Sequence, residues 1–118
     1  DGLWTLPGGY ADVGFSPREN IEKEIYEEAG IRAQAKRLYS VRHKAKGEYD
    51  PDARDFYKLF FLCDTEKGAE AIAGAEISEA AYFPRTEIPP LSTGRVVESD
   101  LVAAWETFSR SESPTHFD

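Results

Sequence analysis

Three glutamates, Glu24, Glu27 and Glu28, stand three and four residues apart in a segment with the marks of a helix. At about 100° per residue this spacing puts them on one narrow face, beside an apolar stripe of Ile21, Ile25 and Ala29. Like charges so placed destabilise an isolated helix by about 0.2–0.5 kcal/mol per pair. On spacing alone two readings stay open: a solvated acidic face, or a site for a hard divalent cation that offsets the repulsion. Magnesium favours oxygen donors, keeps several waters and combines one or two carboxylates with substrate phosphates, so the second reading points to phosphate chemistry.

The elements that must position these carboxylates are marked locally. Leu3 to Leu6 is a short apolar run ending at Pro7-Gly8-Gly9, as a strand entering a glycine-rich loop would. Ser16 suits a helix N-cap, Pro17 the first helical position, and Glu19 completes a Ser-x-x-Glu capping box. Gly30 is placed to end the helix as a left-handed cap.

From Gly8 to Ile31 the chain reads GGYADVGFSPRENIEKEIYEEAGI, which resembles the Nudix box, G-x5-E-x7-R-E-U-x-E-E-x-G-U with U a bulky aliphatic residue. Gly9, Glu24, Ile25, Glu27, Glu28, Gly30 and Ile31 match at fixed offsets, which is far more specific than a lone glycine motif. Phe15 stands where the family has a glutamate and Lys23 where it has an arginine. Lysine supplies the charge but not the planar, multiply donating fork that helps orient the glutamates, so reduced or narrowed activity is an outcome to test. The resemblance continues through Tyr57-Lys58-Leu59-Phe60-Phe61-Leu62-Cys63, Pro89-Pro90-Leu91-Ser92 and Gly94-Arg95. These look like segments of bacterial Nudix proteins described as ADP-ribose pyrophosphatases, a group that includes CDP-choline hydrolases.

The resemblance implies the Nudix α/β/α sandwich, a mixed β-sheet between helices, and a magnesium-dependent hydrolase, with manganese as the alternative ion. Its substrate would be a nucleoside diphosphate linked to another group, ADP-ribose first and a CDP-alcohol such as CDP-choline second. It also implies that Glu24, Glu27 and Glu28 hold metal with the Gly9 carbonyl as a further ligand. The general base comes from the box or from a later loop, where Glu76 and Glu79 are candidates beside the plainer reading of solvated charges. A rival from another class is a Nudix-derived module that binds or senses a nucleotide without cleaving it. A structural domain with a merely acidic helix is a third reading, and it predicts no stabilisation by metal or nucleotide.

Lys36, Arg37, Arg42, Lys44 and Lys46, with His43, form a basic stretch without one acidic residue. It is either the exposed face of a strand or a surface meeting substrate phosphate, with Arg42, His43 and Lys44 as the contacts. Tyr10, Tyr49, Phe56 and Tyr57 could stack on a nucleobase, or sit in core and rim; Tyr10 and Tyr57 are the substrate-side candidates. The polar loop from Lys44 to Asp55 is free to select substrate without disturbing a sheet.

Strands are expected from Arg32 to His43 and from Phe56 to Asp64, the second so apolar that it reads as a central strand covered on both faces. A short strand is expected near Ala80 to Phe83, then a proline-marked connection from Pro84 to Thr93. A last helix from about Arg95 to Ser109 carries Val97, Leu101, Ala104, Trp105 and Phe108 as its buried stripe. Residues 1–110 read as the Nudix domain and 111–118 as a polar, frayed tail.

With 118 residues the chain fits one compact domain. A net charge of -8 argues against nucleic acid and anionic membranes as partners and makes a small anionic substrate depend on a cation. The single Cys63 forms no internal disulfide and reads as a buried structural thiol in a reducing, cytoplasmic compartment. No apolar run approaches the about 18 residues of a membrane helix. The chain lacks methionine and opens on Asp1-Gly2-Leu3-Trp4, from which an upstream segment is expected. The family resemblance implies that this segment holds a strand and a small helical domain; homodimers are common in the family, and the sequence leaves the oligomeric state open.

Overall fold

The computed structural model describes residues 2–118, so the start of the expected domain, Asp1, lies outside them. The elements are helix α1 (Pro17–Ala29), strand β1 (Ala33–His43), a 3-10 turn (Lys44–Lys46), strand β2 (Tyr57–Thr65), helix α2 (Glu98–Ser109) and strand β3 (His116–Phe117). The strands form one sheet in the order β2-β1-β3. β3 is parallel to β1, with Ser40 opposite His116 and Val41 opposite Phe117.

The chain divides into two compact units. The first comprises residues 2–5, Arg37–Leu62 and Pro89–Asp118; the second comprises Leu6–Lys36 and Cys63–Ile88. In the second unit Ala29, Ile31 and Ala33 form a small buried cluster, against which Ile25, Cys63, Ala69, Ala71 and Ala80 pack. Cys63 is partly buried there as an unpaired thiol, and burial raises its pKa.

The first unit is organised around a charge. Asp100 is fully buried and accepts hydrogen bonds from the Tyr49 hydroxyl at 2.8 Å, Arg42 Nη1 at 3.0 Å and the Val97 N–H at 3.0 Å. Buried charge is tolerated because both carboxylate oxygens have donors and one of the donors is a guanidinium. Tyr39 donates its hydroxyl to the Asp100 carbonyl, and Val96, Val97 and Leu101 fill the space around them.

Five expectations need correction. The Leu3–Leu6 strand is reduced to a single parallel bridge between Trp4 and Leu91, and Ala80–Phe83 is irregular backbone ahead of Pro84. β2 is an edge strand among the described residues, not a central one. Its apolar run is only half-buried, with Tyr57 and Leu59 exposed, whereas β1 takes the centre with buried Ala33, Ala35, Tyr39 and Ser40. α2 begins at Glu98 because the Asp100 carboxylate caps the Val97 N–H, and anchoring Asp100 turns the helix so that Thr107 is buried and Phe108 is 79% exposed. Finally, the tail is ordered: β3 extends the sheet, Thr115 donates to the Leu38 carbonyl, and Asp118 accepts from the His43 N–H at 2.8 Å.

Candidate active site

Helix α1 forms as its signals dictate. Ser16 Oγ accepts from the Glu19 N–H while Glu19 Oε1 accepts from the Ser16 N–H, so both halves of the capping box are closed. Gly30 ends the helix at φ 67°, a left-handed conformation that glycine adopts without a Cβ penalty, and donates to the Tyr26 carbonyl. The preceding loop is tied down by Asn20, buried on the helix, whose side chain accepts from the Asp12 N–H at 3.0 Å and donates to the Tyr10 carbonyl at 3.4 Å.

The glycine loop lies against the glutamate face. The Gly8 N–H donates to Glu28 Oε1 at 3.3 Å. A Cβ on Gly9 would sit 3.1 Å from Glu24 Oε2, so a side chain there would press on the carboxylate. Glu24 and Glu28 also share a hydrogen bond between their carboxyls, and Glu28 is pushed up to about 7. Burial is the main cause, followed by that hydrogen bond and by the charges of Glu24 and Glu27, against which the Gly8 N–H works in the other direction. Glu27 is turned outward, accepting from Lys23 Nζ at 3.0 Å.

Among the described residues no three His, Cys, Asp or Glu side chains converge as they stand into a metal-holding group. The donor set nevertheless suits a hard cation. Glu28 is crowded enough beside Glu24 to keep a proton near neutrality, and the Gly9 backbone approaches Glu24 so closely that a side chain there would displace the carboxylate. A divalent cation held by Glu24 and Glu28 would supply in place of that proton a charge of the right sign and donor preference.

The loop bearing Glu76 and Glu79 is fastened to the end of α1. The Ile72 N–H donates to the Ala29 carbonyl at 2.7 Å and the Gly74 N–H to the Glu28 carbonyl at 3.2 Å. A Cβ on Gly74 would collide with the Glu27 carbonyl, so this contact requires glycine. Glu76 and Glu79 follow on the same loop, both exposed.

The second unit therefore contains Gly9, Tyr10, Glu24, Glu27, Glu28, Glu76 and Glu79, with Tyr10 63% exposed. Arg42, His43, Lys44 and Tyr57 belong to the first unit. There Arg42 is committed to Asp100, and its Nε is buried without a hydrogen-bond partner among the described residues. Lys44 is buried over the Tyr49 and Phe56 rings and donates to the Gly94 carbonyl. His43 pairs with Asp55 at 2.5 Å, holding that carboxyl below its ordinary range, and meets exposed Tyr57 edge to face. Tyr49 is buried on Asp100, and its loop is pinned by the Asp50 N–H to the Thr93 carbonyl. Asn20 and Asp12 are the residues of the box that pattern matching passed over, because their work is hydrogen bonding that only the folded loop reveals.

The NUDIX domain family matches residues 1–105. The chain belongs to the Nudix family. A Bacillus subtilis protein, YjhB, provisionally named an ADP-ribose pyrophosphatase, is 37% identical over all 118 residues, which make up 56% of its own length. An ADP-ribose pyrophosphatase from Streptococcus suis superposes at a TM-score of 0.86 with 33% identity, covering 99% of this chain and 83% of that one. A UDP-X diphosphatase superposes at 0.84 with 30% identity, covering 98% of this chain and 55% of that one. This Nudix chain thus spans about half the length of the curated relatives it matches. The α/β/α fold with a mixed sheet, expected from the box, is the fold it shares with these neighbours. No helix among the described residues is long and apolar enough to cross a membrane.

Proposed function

We propose that the protein hydrolyses the pyrophosphate bond of a nucleoside diphosphate linked to another group, with magnesium held by Glu24, Glu27, Glu28 and the Gly9 carbonyl. The observation that carries this reading is the crowding of Glu24 and Glu28 under the Gly8-Gly9 loop, an arrangement costly without a cation. When bound, such an ion neutralises phosphate oxygens, makes a bound water more acidic and stabilises the leaving phosphate. The chain's own part is to fix the water and take its proton. As the water oxygen bonds to one phosphorus, the bridging P–O bond breaks with its electron pair passing to the leaving phosphate, and a carboxylate accepts the proton. Glu76 or Glu79 is the base we assign to that step if a box glutamate does not supply it, because their loop is hydrogen-bonded to the end of the same helix.

ADP-ribose is the first substrate to test, since relatives carry that activity in their names, and CDP-choline the second. On the substrate side we assign Tyr10, His43 and Tyr57 to direct contact and Arg42 and Lys44 to the support of the loop that follows β1. The test is product analysis: ADP-ribose, CDP-choline, a UDP-sugar and nucleoside triphosphates are incubated with magnesium or manganese, and nucleoside monophosphate is quantified. Monophosphate from ADP-ribose, lost in Glu28→Gln, supports the reading. Nucleotide binding without release from any compound replaces it with a sensing module.

A further inference from the structure

The two positions at which this chain departs from the box pattern, Phe15 and Lys23, meet at a single group. Lys23 Nζ lies 5.6 Å from the centre of the Phe15 ring and reaches three carboxylates: Asp12 at 2.7 Å, Glu27 at 3.0 Å and Glu24 at 3.4 Å. The closest partner is not one of the glutamates but Asp12, which stands in the loop three residues before Phe15. Asp12 is itself held in place, since its N–H is bound by the buried Asn20.

We infer that Asp12 is a positioning residue for the glutamate face, supplying from the loop the negative charge that position 15 lacks. The inference rests on Glu24 and Glu27 being metal ligands. An ammonium shared by Glu24 and Glu27 alone would compete with a cation for their oxygens. Asp12 offers it a nearer counter-ion, so that Lys23 stays in place when those glutamates turn to metal, and its single charge is balanced without them. Lysine suits this arrangement because three rotatable donors on a compact head can divide among three carboxylates and still pack on a ring. Asp12 is half exposed and Lys23 less so, which makes the pair worth a modest but measurable amount.

The test is titration of the whole protein with manganese and magnesium by calorimetry, without substrate, for wild type, Asp12→Asn, Asp12→Glu and the double variant Asp12→Asn/Phe15→Glu. Asp12→Asn is expected to weaken metal binding about fivefold, the scale of one partly exposed ion pair. Asp12→Glu should retain the affinity, and Phe15→Glu should restore it in the Asn background, because position 15 also faces the ammonium. Unchanged affinity in Asp12→Asn overturns the inference while leaving the metal site intact. Weakened affinity that Phe15→Glu does not restore also overturns it, since the effect would then lie in loop shape rather than charge. No metal binding by wild type removes the proposed site and this inference with it.

Discussion

At the scale of single residues, the site is a problem of three negative charges and one proton. Glu28 keeps its proton up to about 7, well above its ordinary 4.5, so between these values the folded protein holds a proton that the unfolded chain releases. The sign follows: metal-free stability falls as pH rises through that window and is not regained above it. With the carboxyl partly exposed, solvent screening holds the loss to about 1 kcal/mol. Denaturation in chelator at pH 4.5 and 7.5 checks this, with wild type losing stability between the two and Glu28→Gln losing less. Magnesium should reverse the ranking at pH 7.5, because only the carboxylate rewards the ion. These glutamates were legible in the sequence because a helix converts spacing into a face. Asp12 and Asn20 were not, since an aspartate in a loop and an asparagine in a helix acquire a role only when the loop folds back.

At the scale of elements, α1 was fully legible, since Ser16, Pro17, Glu19 and Gly30 each act through local geometry that the folded helix reproduces. Ser16→Ala removes one half of the capping box and should cost about 1 kcal/mol, read from the midpoint of urea unfolding. Gly74→Ala forces a methyl group against the Glu27 carbonyl and should cost about 1–3 kcal/mol by the same measurement. It should also weaken metal binding, because the strained carbonyl lies on the ligand helix. Strand β2 and helix α2 were misread for one reason: apolar runs report that burial is available, not which neighbour provides it. β2 has β1 on one side only among the described residues, so its run is half covered. α2 is oriented by Asp100, a polar residue that hydrophobic periodicity leaves out of the count. Phe108 faces outward as a result.

At the scale of the whole molecule, each of the two compact units is stabilised differently. One packs small apolar residues behind the glutamate helix, and the other surrounds a buried carboxylate with donors. Asp100→Ala should destabilise the protein by about 3–5 kcal/mol, because Arg42 is left buried without its partner; thermal unfolding reads this directly. Family and fold were legible from one short motif, since matching residues at fixed offsets are far rarer than the elements they decorate. The ordered tail was not, because two residues of strand pairing with β1 leave almost no periodic trace. The glutamate face of α1 is proposed here as a metal-dependent pyrophosphatase centre. Its most direct measurement is AMP release from ADP-ribose against magnesium concentration, for wild type and Glu28→Gln. Release that saturates with magnesium in wild type and falls at least about a hundredfold in the variant is the predicted result. Release that is independent of magnesium, or equal in the two proteins, would contradict it.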